Sequence, residues 1–180
     1  MTQEIKAELI INGVKIVVGN YFLETIAREI PDTQENKKVF EILASSSNYE
    51  VRNIIARREN LTKKSITILL NDENQEVVNT LINNRDVNKF ITDEELQTVI
   101  SRNNILHLTT IAKSIDEYKN CDIFKVIEQL VSHQNSKVRY NLFTCYASNL
   151  ISNTQLKRLI DDEDIDVAAE AKKELKSRIE

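Results

Sequence analysis

Leu43-Ala-Ser-Ser-Ser-Asn-Tyr-Glu-Val51-Arg52 and Val131-Ser-His-Gln-Asn-Ser-Lys-Val138-Arg139 carry one pattern twice. An apolar helix end runs into a short polar loop and a charged residue, and Val then opens a new helix. The pattern returns in Leu70-Asn-Asp-Glu-Asn-Gln-Glu-Val77-Val78 and Ile160-Asp-Asp-Glu-Asp-Ile-Asp-Val167-Ala168, and more weakly in Ile100-Ser-Arg-Asn-Asn-Ile105-Leu106. Counted on Val51, Val77, Leu106, Val138 and Val167, the steps are 26, 29, 32 and 29 residues. A near-regular period of this size is one helix pair per unit, and stacking pairs buries stripes that a single pair leaves open.

Helical spacing fills in the units. Val51, Ile54 and Ile55 share a face, as do Ile66, Leu69 and Leu70, and Ile123, Val126, Ile127 and Leu130. Val138, Leu142 and Tyr146 are expected on one helix, and Val167, Ala171 and Leu175 on the last. Thr92-Asp-Glu-Glu95 is a capping box, and Asp32-Thr33-Gln34-Glu35 reads as an acidic first turn after Pro31.

Composition agrees. Only Gly13, Gly19 and Pro31 represent the two residue types on which β-sandwiches, barrels, P-loops and nucleophile elbows depend. At 41% apolar and 29% charged residues the 180-residue chain is neither disordered nor membranous. The N-terminal residues lack the pattern of a secretory signal, and two cysteines make no disulfide framework, so a cytoplasmic protein is expected. Helix ends without glycine call for another residue. Many of the 19 asparagines sit at the joints, where Asn serves both the left-handed C′ position and the N-cap.

Residues 1–21 depart from the repeat. Ala7-Glu-Leu-Ile-Ile-Asn12-Gly13-Val-Lys-Ile-Val-Val18 surrounds an Asn-Gly pair with β-branched residues, which favours a β-hairpin. An irregular capping helix is the alternative, with Ile5, Leu9 and Val17 on one face. Either shields the end of a stack of helix pairs.

Glu50-Val-Arg-Asn-Ile-Ile-Ala-Arg57 and Lys137-Val-Arg-Tyr-Asn-Leu142 resemble the second half of a HEAT repeat. Val51-Arg-Asn-Ile-Ile-Ala-Arg-Arg-Glu-Asn-Leu61-Thr62 is similar to the leucine-rich repeat variant, a short relative of the HEAT and armadillo solenoids. The resemblance implies an all-α, right-handed superhelix of about five helix pairs over 22–180, with the cap at 1–21. Val78 and Ala168 depart from it where Arg would recur, and Thr62 stands where the short variant has Pro.

Candidate sites are few. Arg52, Arg57, Arg58, Lys63 and Lys64 form a basic run suited to carboxylates or phosphates, or simply a solvated face. Asp161, Asp162, Glu163, Asp164 and Asp166 form an acidic one. Asp162, Asp164 and Asp166 match the first positions of a calcium loop, but Val167 replaces its Gly and Lys173 its Glu, so an inter-helix loop is expected instead. Head-to-tail self-association through the two runs is conceivable. His107, His133, Cys121 and Cys145 lack zinc-site spacing, and no nucleophile is paired with a base, so no catalytic, cofactor or metal residue is assigned. Tyr118, Phe124, Tyr140, Phe143 and Tyr146 are expected mostly in the core, with any exposed subset free to anchor a partner.

The function expected is therefore a non-enzymatic scaffold that binds a protein or peptide along its repeat surface. The alternative is nucleic-acid binding similar to the HEAT-like alkylpurine DNA glycosylases. It requires the Arg52–Lys64 cations to converge on one face, against a net charge of −4 and without a Trp to stack on a base.

Overall fold

The computed structural model describes residues 7–11, 14–144 and 146–179, which divide into two compact units, Met1–Val87 and Asn88–Glu180. Among the described residues the fold is all-α apart from one short N-terminal hairpin. Strands β1 (Ala7–Ile11) and β2 (Val14–Val18) pair antiparallel, with Ala7 opposite Val18 and Ile11 opposite Val14. The β-branched run therefore takes the extended form, and the capping-helix alternative is set aside. Asn12 and Gly13 lie outside the described residues. Gly19, in contrast, has ordinary extended dihedrals, and a Cβ there would meet nothing within 4 Å, so the backbone does not require glycine at that position.

In the first unit, α1 (Asn20–Glu29), α3 (Tyr49–Ile55) and α5 (Gln75–Ile82) lie side by side in one row. Helices α2 (Lys37–Leu43) and α4 (Lys63–Leu70) form the row behind it, and α6 (Arg85–Asn88) is a single turn. Leu23, Ala27, Phe40, Val51, Ile55, Ile66, Leu69, Val77 and Leu81 fill the space between the rows. The acidic turn expected after Pro31 opens as a 3-10 turn (Gln34–Asn36) that contains Glu35 and runs directly into α2. Asp32 is engaged across the fold, its carboxylate accepting the Glu59 and Asn60 N–H groups at 2.7 and 3.1 Å.

The second unit repeats the plan. Helices α8 (Ile105–Lys113), α10 (Ser136–Asn141) and α12 (Ile165–Ser177) pack in sequence. Helix α7 (Asp93–Ser101) leads into α8, and α9 (Ile123–Val131) packs against α11 (Asn153–Leu159). The capping box at Thr92 and Glu95 is present. Helix α10 is shorter than its apolar spacing suggests. It ends at Asn141, where Asn141 Nδ2 donates to the Lys137 carbonyl and Thr144 Oγ1 to that of Asn141. Such side chains compete with the helical ladder. Val138 and Tyr146 consequently belong to different elements, Tyr146 opening a 3-10 stretch to Leu150, and Cys145 lies outside the described residues.

The asparagines act chiefly at helix starts. Asn48, Asn74, Asn104 and Asn135 cap α3, α5, α8 and α10, and Asp164 caps α12, each accepting a backbone N–H from two or three residues ahead. Among the described residues only Asn103 has a positive φ, 50°, so the left-handed role is confined to one joint. These caps lie 26, 30, 31 and 29 residues apart, which corrects the sequence count in the third unit. There the core position three residues past the cap is His107, which is buried, while Leu106 is 49% exposed. An imidazole in the slot that Val fills elsewhere hid the true register.

The caps yield a first expectation. Asn135→Ala removes the acceptor for the Lys137 N–H and should lower stability by about 1 kcal/mol, whereas Asn135→Asp should retain most of it, as Asp164 does. Urea unfolding of the two variants measures the difference, and equal losses would show that the cap is unimportant.

Candidate functional site

The Val-Arg motif does not build a surface patch. Arg52 is 1% exposed. Its Nε and Nη2 grip both oxygens of Asp72 at 2.5 and 2.8 Å, and its Nη1 donates to the Ser46 and Ser47 carbonyls at 2.7 and 3.1 Å. In the second unit Arg139 holds Asp162 at 2.7 Å through each nitrogen and donates to the His133 and Gln134 carbonyls. The Asp162 carboxylate keeps the Arg139 guanidinium above its ordinary pKa, burial opposing it. In both cases the aspartate also accepts the N–H of the next cap, Asn74 or Asp164. A planar fork suits this job, because it satisfies a carboxylate and two orphaned carbonyls at once. The motif is thus a lock between successive inter-helix loops.

This corrects both candidate runs. Arg52 leaves the basic one, and Arg58 is committed too: it donates to the Ala27 and Arg28 carbonyls at the end of α1 and stacks 5.6 Å from the Phe40 ring. Lys64 pairs with Glu41 at 2.7 Å, which holds that carboxyl below its usual range. Lys63 and Arg57 are exposed. The five cations therefore do not converge on one face, as nucleic-acid binding required. In the acidic run, Asp162 is sequestered by Arg139 and Asp164 serves as a cap. The Asp164 carboxyl lies below its usual range through the Ser136 hydroxyl first and the Val167 and Asp166 amides after it. Asp161, Glu163 and Asp166 remain exposed.

The other candidates are structural. His133 bridges Asn103 and the Asn135 amide, and Cys121 Sγ approaches the Ile91 carbonyl at 3.4 Å. Among the described residues no group of three or more His, Cys, Asp or Glu could hold a metal ion, and no helix is long and apolar enough to cross a membrane. The aromatic cluster is divided: Tyr118 is buried and Phe143 half-buried, whereas Tyr140 is exposed and Phe124 is 68% exposed, and the Tyr146 side chain lies outside what is described.

Two clefts missed by sequence reasoning lie along the α1–α3–α5 row. The first, about 310 Å³, opens between the end of α1 and α3 and is lined by Arg28, Asp32, Glu50, Asn53, Arg57 and Arg58, with Ile54 as its apolar member. The second, about 450 Å³, opens between the turn after α3 and the end of α5, with Arg57, Asn79, Thr80, Asn83, Asn84 and Arg85 around it. Arg57 is the wall they share. Positions 28 and 57 meet only because α1 and α3 are neighbours in the row, a proximity that no local motif encodes.

No protein-family model and no curated protein matches this chain. Among solved structures, a designed armadillo repeat protein is 14% identical, with a TM-score of 0.39 over 87% of this chain and 90% of that one. An engineered protein from the Northeast Structural Genomics Consortium is 16% identical, with a TM-score of 0.40 over 86% of this chain and 88% of that one. Within each unit the chain's own helices pack as successive pairs, an all-α helical-repeat architecture.

Proposed function

We propose that the protein is a non-enzymatic binding scaffold that holds an extended protein segment along the α1–α3–α5 row. One observation carries the reading: two adjacent clefts open on the same row and share Arg57, so a chain crossing α3 meets both. The lining chemistry supports it. Amide and hydroxyl groups from Asn53, Asn79, Thr80 and Asn83 suit the alternating N–H and C=O groups of an extended backbone. Neither cleft brings together a nucleophile and a base, which favours binding over catalysis.

Selection of displayed random peptides on the immobilised full chain tests this. Binders are expected to shift the backbone amide NMR signals of α3 and α5, and Thr80→Trp, which fills the second cleft, should weaken them. Failure to enrich any peptide, or shifts confined to other elements, would refute the reading.

A further inference from the structure

Of the nine arginines, seven are engaged within the protein. The other two, Arg28 and Arg57, are both exposed, their guanidinium groups make no hydrogen bond or ion pair among the described residues, and they line the same cleft between α1 and α3. The two acids beside them, Asp32 and Glu50, form no ion pair with either guanidinium among the described residues. Asp32 spends both oxygens on the Glu59 and Asn60 amides, and Glu50 hydrogen-bonds the Tyr49 hydroxyl, holding that phenol above its usual pKa.

We propose that the α1–α3 cleft is an acidic-residue pocket, in which Arg28 and Arg57 hold an Asp or Glu carboxylate of the bound segment. The inference rests on the protein-segment reading and names the chemistry of the segment. Two guanidinium forks call for an oxyanion, and in a protein segment the side chains that supply one are Asp and Glu.

The test uses fluorescence anisotropy with the full chain and three fluorescein-labelled extended peptides. Each is about 12 residues long, an extended reach of about 40 Å, with Glu, Ser or Lys at every third position of a neutral Ala/Ser background. The Glu peptide is expected to bind roughly tenfold or more tightly than the Ser peptide, to lose that margin in Arg57→Glu and in Arg28→Glu, and to weaken as salt rises. Lys113→Glu makes the same charge change on α8 and should leave binding unaltered. Arg57→Lys should fall between the parent and Arg57→Glu, because an ammonium keeps the charge but not the fork. Inorganic phosphate and a duplex DNA serve as competitors expected to displace the Glu peptide poorly.

If the Ser or Lys peptide binds as tightly as the Glu peptide, with dependence on α3 and α5, the acidic pocket is wrong and the segment reading stands. If duplex DNA binds and no peptide does, or if nothing binds, both fall. Equal weakening by Lys113→Glu would reduce the effect to general charge and overturn the pocket.

Discussion

Arg52→Met is expected to cost about 3–5 kcal/mol, because removing one partner of a buried ion pair strands the other charge. In a chain of this size that corresponds to a fall of roughly 6–20 °C in Tm. The stranded group is Asp72, whose side chain is 2% exposed and would keep only the Asn74 N–H as a close donor. The Ser46 and Ser47 carbonyls lose their donor in the same step. Glu73, at 3.9 Å from Nη2 and largely exposed, adds little, as screened surface pairs do. Arg52→Lys should recover part of the loss, since a single ammonium cannot span a carboxylate and two carbonyls together. The double variant Arg52→Met with Asp72→Leu should be more stable than Arg52→Met alone, because no charge is then left buried. Calorimetry of the set decides the matter. A Tm for Arg52→Met within about 2 °C of the parent, a change of under about 1 kcal/mol, would mean that the fork does not lock the loops.

The period was legible because it rests on composition that burial enforces. A Val three residues past each cap is fully buried at Val51, Val77, Val138 and Val167, so the apolar stripe and the polar loop before it recur together. It failed by one residue in the third unit, where the slot holds His107 and an aliphatic residue stands beside it on the surface. The role of Arg52 was misread for a related reason. Arginine is rarely buried, so a basic run is taken as surface unless its partner is seen. A signal did exist: Asp72 and Asp162 each stand two residues before the next cap, and only the units before them carry Val-Arg. The clefts had no such signal. Arg28 lies on α1 and Arg57 in the turn after α3, and what distinguishes their side chains from those of the other arginines is the lack of a partner among the described residues, which only the packed structure reveals.

The α1–α3 cleft depends on the core beneath it, and Phe40 is where the two meet. Phe40 is fully buried on α2, and the Arg58 guanidinium lies 5.6 Å from its ring while donating to the Ala27 and Arg28 carbonyls. Phe40→Ala is expected to cost about 3–5 kcal/mol, from lost transfer energy and the cavity left behind. The expected fall in Tm is again roughly 6–20 °C. Phe40→Leu keeps most of the volume and should cost less, but it removes the aromatic face. The distinguishing quantity is the coupling between Phe40→Leu and Arg58→Met. A cation seated on a ring and held by carbonyls is expected to give about 0.5–2 kcal/mol in a double-mutant cycle. A coupling indistinguishable from zero would show that Arg58 is held by the α1 carbonyls alone. The cleft wall would then be independent of the core, and Phe40→Leu should leave binding of an acidic peptide at Arg57 untouched. With the coupling present, Phe40→Leu should weaken that binding while leaving helix content unchanged, because Arg58 loses the surface that fixes its place in the wall between α1 and α3.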